Sequence, residues 1–66
     1  MFIQVNGSER DVPDGATVTE MLAALGVPAR GVAVAVDGTV IARTNHDQTV
    51  VPDGADVEVL TAVQGG

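Results

Sequence analysis

Cysteine, lysine, tyrosine and tryptophan are missing from this chain, and serine, histidine and phenylalanine occur once each. Without cysteine there are no disulfide staples, no thiolate metal sites and no cysteine nucleophile, and a reducing compartment is permitted. Zinc lacks a ligand set. A hydroxyl nucleophile with its base would have to be Ser8 with His46, both in segments that read as turn or loop, and a triad needs a third orienting group on a rigid site. His46 reads instead as a solvated loop residue. None of the glycines forms G-x-G-x-x-G or leads into a Lys-Ser/Thr pair, which excludes a phosphate-cradling loop. The carboxylates Asp11 with Asp14 and Asp53 with Asp56 flank turns and need only water, and no segment offers the alternating oxygen ligands of a calcium loop.

Long apolar runs are equally absent. The longest smooth stretch, Val32 to Val36, is far too short to span a bilayer. The opening MFIQVNGSERD interrupts its apolar residues with polar ones and does not read as a signal peptide. A cytoplasmic protein with no membrane partner is expected. Basic residues are scarce: three Arg against nine Asp and Glu give a formal net charge of −6. That charge repels phosphate backbones, so nucleic acid is not an expected ligand. An acidic surface can steer toward a basic patch on a protein partner. Solubility alone accounts for the acidity equally well.

What is present is a small, aliphatic, strongly patterned chain. Sixty-six residues, 45% of them hydrophobic, make one domain that buries roughly 60% of its unfolded surface. Phe2 to Val5 and Arg10 to Val12 flank Asn6-Gly7, a dipeptide suited to a two-residue hairpin turn. Thr17-Val18-Thr19-Glu20 carries a capping box. Val18, Met21, Leu22 and Leu25 then follow at i, i+3, i+4 and i+7, predicting a helix of about nine residues with one apolar stripe. Gly26 and Pro28 end it. Val32, Val34 and Val36 share one face of a strand and Ala33 and Ala35 the other. Asp37-Gly38 turns into a strand from Thr39 to Ala42, and Arg43 to Gln48 reads as a polar loop. Thr49 to Val51 reads as a short strand, and Asp56 to Val63 as a last strand with Val57 and Val59 on one face and Glu58, Leu60 and Ala62 on the other. The segment VPDGA occurs at Val12 to Ala16 and at Val51 to Ala55, which is ordinary turn chemistry used twice. The order implies a two-layer α+β domain over residues 1–63, a mixed four- to five-stranded sheet packed on one α-helix. A long connection through the helix fits a parallel pairing of the first and last strands.

With every side-chain constellation excluded, the terminus remains. The α-carboxylate of Gly66 is ionised at neutral pH and is a poor electrophile. It reacts only after activation as an acyl phosphate or acyl adenylate by an enzyme that binds ATP. Gln64, Gly65 and Gly66 form a tail whose glycines, without Cβ, can thread a narrow channel and adopt φ values closed to other residues. A tail that is merely frayed is the plain alternative.

Asn6-Gly7, the Thr17 to Leu25 helix, GVAVAVDG at Gly31 to Gly38 and VEVLTAVQGG at Val57 to Gly66 together span nearly the whole chain. In these segments the sequence resembles the ubiquitin-like β-grasp sulfur carriers, most closely the ThiS family of thiamin biosynthesis. The resemblance implies a β-grasp fold and a carrier that is a substrate rather than an enzyme. A ThiF-type, E1-like adenylyltransferase would adenylate Gly66 with ATP and magnesium, and the carrier itself would bind no cofactor. A sulfur donor protein would displace AMP to leave a thiocarboxylate, and thiazole synthase would take the sulfur. Related carriers for molybdopterin or cysteine biosynthesis, and ubiquitin-like modifiers joined to lysines, are the alternatives. If the first, last and third strands lie side by side, Phe2, Ala33, Ala35, Leu60 and Ala62 are expected to meet on the face opposite the helix as a docking patch.

Overall fold

The computed structural model describes residues 1–28 and 30–61. The first hairpin pairs β1 (Phe2–Val5) with β2 (Ser8–Asp11) in antiparallel register, Val5 opposite Ser8. Asn6 and Gly7 both take positive φ, 51° and 83°, the combination whose twist matches that of the flanking strands. This two-residue turn starts β2 earlier than the expected Arg10. Val12 then leaves the ladder to enter the core, its N–H donating to the Met1 carbonyl at 2.9 Å.

Helix α1 (Val18–Ala24) has seven residues rather than about nine, because both ends are closed by specific caps. At its start the Thr17 hydroxyl accepts from the Glu20 N–H at 3.2 Å, and the Glu20 carboxylate accepts from the Thr17 N–H at 2.9 Å. At its end Gly26 (φ 72°) donates to the Ala23 carbonyl and Val27 to the Leu22 carbonyl at 2.9 Å. This is the paired Schellman closure in which a glycine terminates the helix. Val18, Met21 and Leu22 are buried and Leu25 packs against them from the edge.

A second hairpin, β3 (Val32–Val36) to β4 (Thr39–Ile41), turns through Asp37 and Gly38 at φ 49° and 84°. The final strand β5 (Asp56–Thr61) lies at the centre of one five-stranded sheet of order β2-β1-β5-β3-β4. It runs parallel to β1 and antiparallel to β3. Alternation decides what is inside: Ile3, Val5, Val34, Val36, Val57 and Val59 face the helix, and with Val18, Met21 and Leu22 they form a single core. Burying each of the larger side chains contributes about 1.5–3 kcal/mol, which is how so small a sheet is held to one helix.

Three expectations are corrected. Thr49 to Val51 is not a strand but makes an isolated bridge, Thr17 opposite Val50, with the Val51 N–H on the Ala16 carbonyl at 2.8 Å. These bonds hold the segment across the helix entry, away from the sheet. They also set the two VPDGA copies side by side; in each an alanine N–H closes on a proline carbonyl and the flanking valine and alanine are buried. His46 is not solvated. It follows a 3₁₀ turn (Arg43–Asn45), is only 5% exposed, and its Nε2–H donates to the Ile41 carbonyl at 3.2 Å. Its own backbone carbonyl accepts from the Thr19 N–H, so His46, through its ring and its main chain, ties the end of β4 to the start of the helix. Asp11 and Asp14, finally, hold more than water: the Met1 ammonium lies 2.7 Å from Asp14 and 3.3 Å from Asp11. The hydrogen bond that the ammonium donates to Asp14 raises that amine above its ordinary 8.0, and the same bond holds Asp14 below its usual 3.8.

Candidate functional site

The expected reactive group follows β5 in the sequence, so the candidate site is built from what surrounds that strand. Val57 and Val59 point into the core, and the period of two turns Glu58 and Leu60 outward on the helix-free face. Register with β3 sets Leu60 opposite Ala33 and Glu58 opposite Ala35. The tight Asp37-Gly38 turn in turn sets Val40 opposite Ala35. Leu60 is 65% and Val40 75% exposed. The two alanines between them are too small to fill the surface, which leaves a shallow apolar groove lined by Ala33, Ala35, Val40 and Leu60 and rimmed by Glu58. The groove adjoins the strand that carries the chain toward Gln64, Gly65 and Gly66.

A second shallow depression, formed by Gly31, Val32, Ala33, Arg43, Leu60 and Thr61, lies where β5 ends. Arg43 links it to a neighbouring hollow that also contains Arg30, Thr19, His46 and Asp47. Two of the three arginines of this acidic chain thus lie in or next to the depression at the end of β5. Among the described residues, no group of three His, Cys, Asp or Glu is placed to hold a metal ion, and no helix is long and apolar enough to cross a membrane.

Ala33, Ala35 and Leu60 come together on the helix-free face, beside each other in register. Phe2 does not join them. Its carbonyl accepts from Gly54 N–H, which places it level with the start of β5. At about 3.3 Å per residue that is roughly 20 Å along the strand from Leu60. There Phe2 forms a separate apolar spot with Val50, beside Met1 and Pro52. The reason is the parallel pairing of β1 with β5, which sets Gln4 against Asp56. Ala62, Gln64, Gly65 and Gly66 lie outside the described residues. Val40 and Arg43 were missed in the sequence. The two-residue turn after Val36 carries a signal for Val40, since it fixes the facing pairs of the hairpin. Nothing local marks Arg43, which reaches the site through the 3₁₀ turn.

Comparison with known proteins agrees with this fold. The model of the ThiS family matches residues 3–66. The crystal structure of a thiamine biosynthesis protein (ThiS) from Geobacter metallireducens superposes with a TM-score of 0.80 at 44% identity, covering all of both chains. A solution structure of a thiamine biosynthesis protein from the same organism gives a TM-score of 0.81 at 42% identity, covering all of this chain and 88% of the other. A thiazole synthase from Paramagnetospirillum magneticum is 33% identical over 66 residues. The chain spans 20% of that relative's length.

Proposed function

Because the chain belongs to the ThiS family, a family of small sulfur carriers in thiamine biosynthesis, we propose that it carries sulfur as a thiocarboxylate on Gly66. In this reading a ThiF-type adenylyltransferase binds ATP and magnesium. The Gly66 carboxylate attacks the α-phosphorus, pyrophosphate leaves, and an acyl adenylate forms. A sulfur nucleophile at the oxidation level of sulfide, delivered by a donor protein, then attacks the carbonyl carbon and expels AMP. The product is a thiocarboxylate, nucleophilic through sulfur and tethered to a protein handle.

The observation that carries the reading is the juxtaposition of an apolar groove (Ala33, Ala35, Val40, Leu60) with β5, the strand that precedes the Gly-Gly end in the sequence. Docking that groove on an enzyme would fix β5, the strand that precedes the Gly-Gly end in the sequence, before the terminus enters an active-site channel. This limits the entropic cost of threading glycines. Arg43 and Arg30 near the end of β5 would suit an acidic patch on such a partner. Thiazole synthase is proposed as the sulfur acceptor. The match to a protein of that name, in which a stretch like this chain makes up one fifth of the length, supports carrier and synthase working in contact.

The test is growth of a cell that lacks its own thiamin sulfur carrier. The full chain is expected to restore growth without thiamin, and the chain lacking Gly65 and Gly66 to fail unless the thiazole precursor is supplied. Restoration by the truncated chain would refute the reading. Rescue of molybdenum-enzyme activity or of cysteine formation in place of thiamin would move the chain to a sister pathway. A ladder of lysine conjugates would make it a modifier.

A further inference from the structure

Among the described residues only two that are not glycine take positive φ, Asn6 at 51° and Asp37 at 49°, each the first central residue of a hairpin turn. Either position would accept glycine with less backbone strain. Both side chains instead bond the backbone of β5. The Asp37 carboxylate accepts from the Asp56 N–H at 2.9 Å, while the Asp37 N–H donates to the Asp56 carbonyl at 2.7 Å. There the side chain has only to accept, and an aspartate suffices. Asn6 meets a different demand. Its own N–H is already given to the Val57 carbonyl at 2.9 Å, so both backbone groups of Val59 must be met by the side chain. The Asn6 Nδ2–H donates to the Val59 carbonyl at 3.0 Å and its Oδ1 accepts from the Val59 N–H at 2.9 Å. Only a carboxamide has a donor and an acceptor on one short planar group.

The location of this bond gives it a consequence. β1 ends at Val5, paired with Val57, and the backbone groups of β5 that face β1 belong to alternate residues, Val57, then Val59, then Thr61. Asn6 therefore acts as one further rung of the parallel ladder after β1 has turned away. The next residue of that series, Thr61, has no described strand beside it on that side. We propose that Asn6 is a positioning residue for the reactive tail: its carboxamide fixes the course of β5 at Val59, beyond which, among the described residues, Leu60 and Thr61 pair with β3 alone. The effect on partner enzymes rests on the sulfur-carrier reading. The clamp itself does not.

The experiment uses the full chain and compares Asn6→Gly, Asn6→Asp and Asp37→Gly with the parent. Asn6→Gly keeps the turn and removes the clamp. Asn6→Asp keeps the acceptor for the Val59 N–H and loses the donor. Backbone amide hydrogen exchange is read by NMR at Val59 and Leu60, with Val34 as the internal reference for global opening. Asn6→Gly is expected to speed exchange at Val59 and Leu60 at least tenfold relative to Val34, and Asn6→Asp to fall between it and the parent. Asp37→Gly, which frees the other end of the strand, should change Leu60 no more than Val34. In steady-state adenylation, Asn6→Gly should raise KM by about 2- to 10-fold with kcat held, the signature of added ordering on docking. Equal changes at Val59 and Val34, or the same selective effect from Asp37→Gly, would overturn the clamp. A selective exchange effect with unchanged KM would overturn its role in positioning the tail. If the parent chain is not adenylated at all, the functional reading fails while the exchange data still decide the clamp.

Discussion

Replacing Leu60 separates docking from folding. Leu60 is 65% exposed on the helix-free face, so the folded domain uses only about a third of its surface. Complete burial of a leucine contributes about 1.5–3 kcal/mol. The part left exposed is then worth about 1–2 kcal/mol to a partner that covers it, or roughly 5- to 30-fold in affinity at tenfold per 1.4 kcal/mol. Leu60→Ala should raise the KM for the carrier in an ATP–pyrophosphate exchange assay by that factor, with little change in kcat because the side chain touches no reacting atom. Folding free energy, followed by urea titration, should move by only about 0.5–1 kcal/mol, the third of the burial that the folded domain itself uses. Leu60→Arg should lose more, since a guanidinium would be pressed against an apolar partner surface. Phe2→Ala is the control: Phe2 is also well exposed but belongs to the other end of the sheet, and its loss should leave KM unchanged. Unaltered KM in both Leu60 variants, or an equal effect from Phe2→Ala, would refute the assignment of the groove.

Two further outcomes follow from the local structure. Thr17→Ala removes the acceptor for the Glu20 N–H and should cost about 1 kcal/mol of stability in thermal or urea unfolding; no loss would mean the capping box does not hold the helix start. For the 66-residue chain, the pairing of the Met1 ammonium with Asp14 makes stability depend on pH at both ends of the range. The amine is raised above 8.0, so its contribution is complete below that pH and is lost as pH climbs through the folded value; Asp14 is lowered below 3.8, so its contribution is complete above that pH and is lost on acidification through its folded value. Asp14→Asn should flatten both shoulders of the stability–pH curve, and an unchanged curve would contradict the pairing.

What was legible in the sequence was local. Thr17 and Glu20 state the helix start, Asn6-Gly7 and Asp37-Gly38 state their turns, and the alternating valines and alanines of β3 state which face is inside, because each feature is decided within a few residues. The parallel pairing of first and last strands followed from the order of elements. The failures are cases where distant chain decided. Val50 pairs with Thr17 and not with a strand, so β-branched residues in that segment were not enough to make one. His46 is buried because the 3₁₀ turn carries it under the end of β4, and a lone histidine among polar neighbours gives no sign of that. Phe2 was expected in the docking patch on the correct face, but its height along the sheet depends on the register of β1 against β5. The two roles of Asn6 show the same limit: its turn propensity is visible in the sequence, its bonds to Val59 are not.

The central claim is that the working group is the terminal carboxylate of Gly66, activated by another protein. The most direct measurement is the intact mass of the chain after incubation with the adenylyltransferase, ATP, magnesium and a sulfide source, followed by fragmentation to locate the change. The account predicts the gain that accompanies replacement of one oxygen by sulfur, confined to Gly66 and absent when ATP is omitted. An unchanged mass under conditions in which a known carrier is converted, or a sulfur added at any other residue, would contradict it.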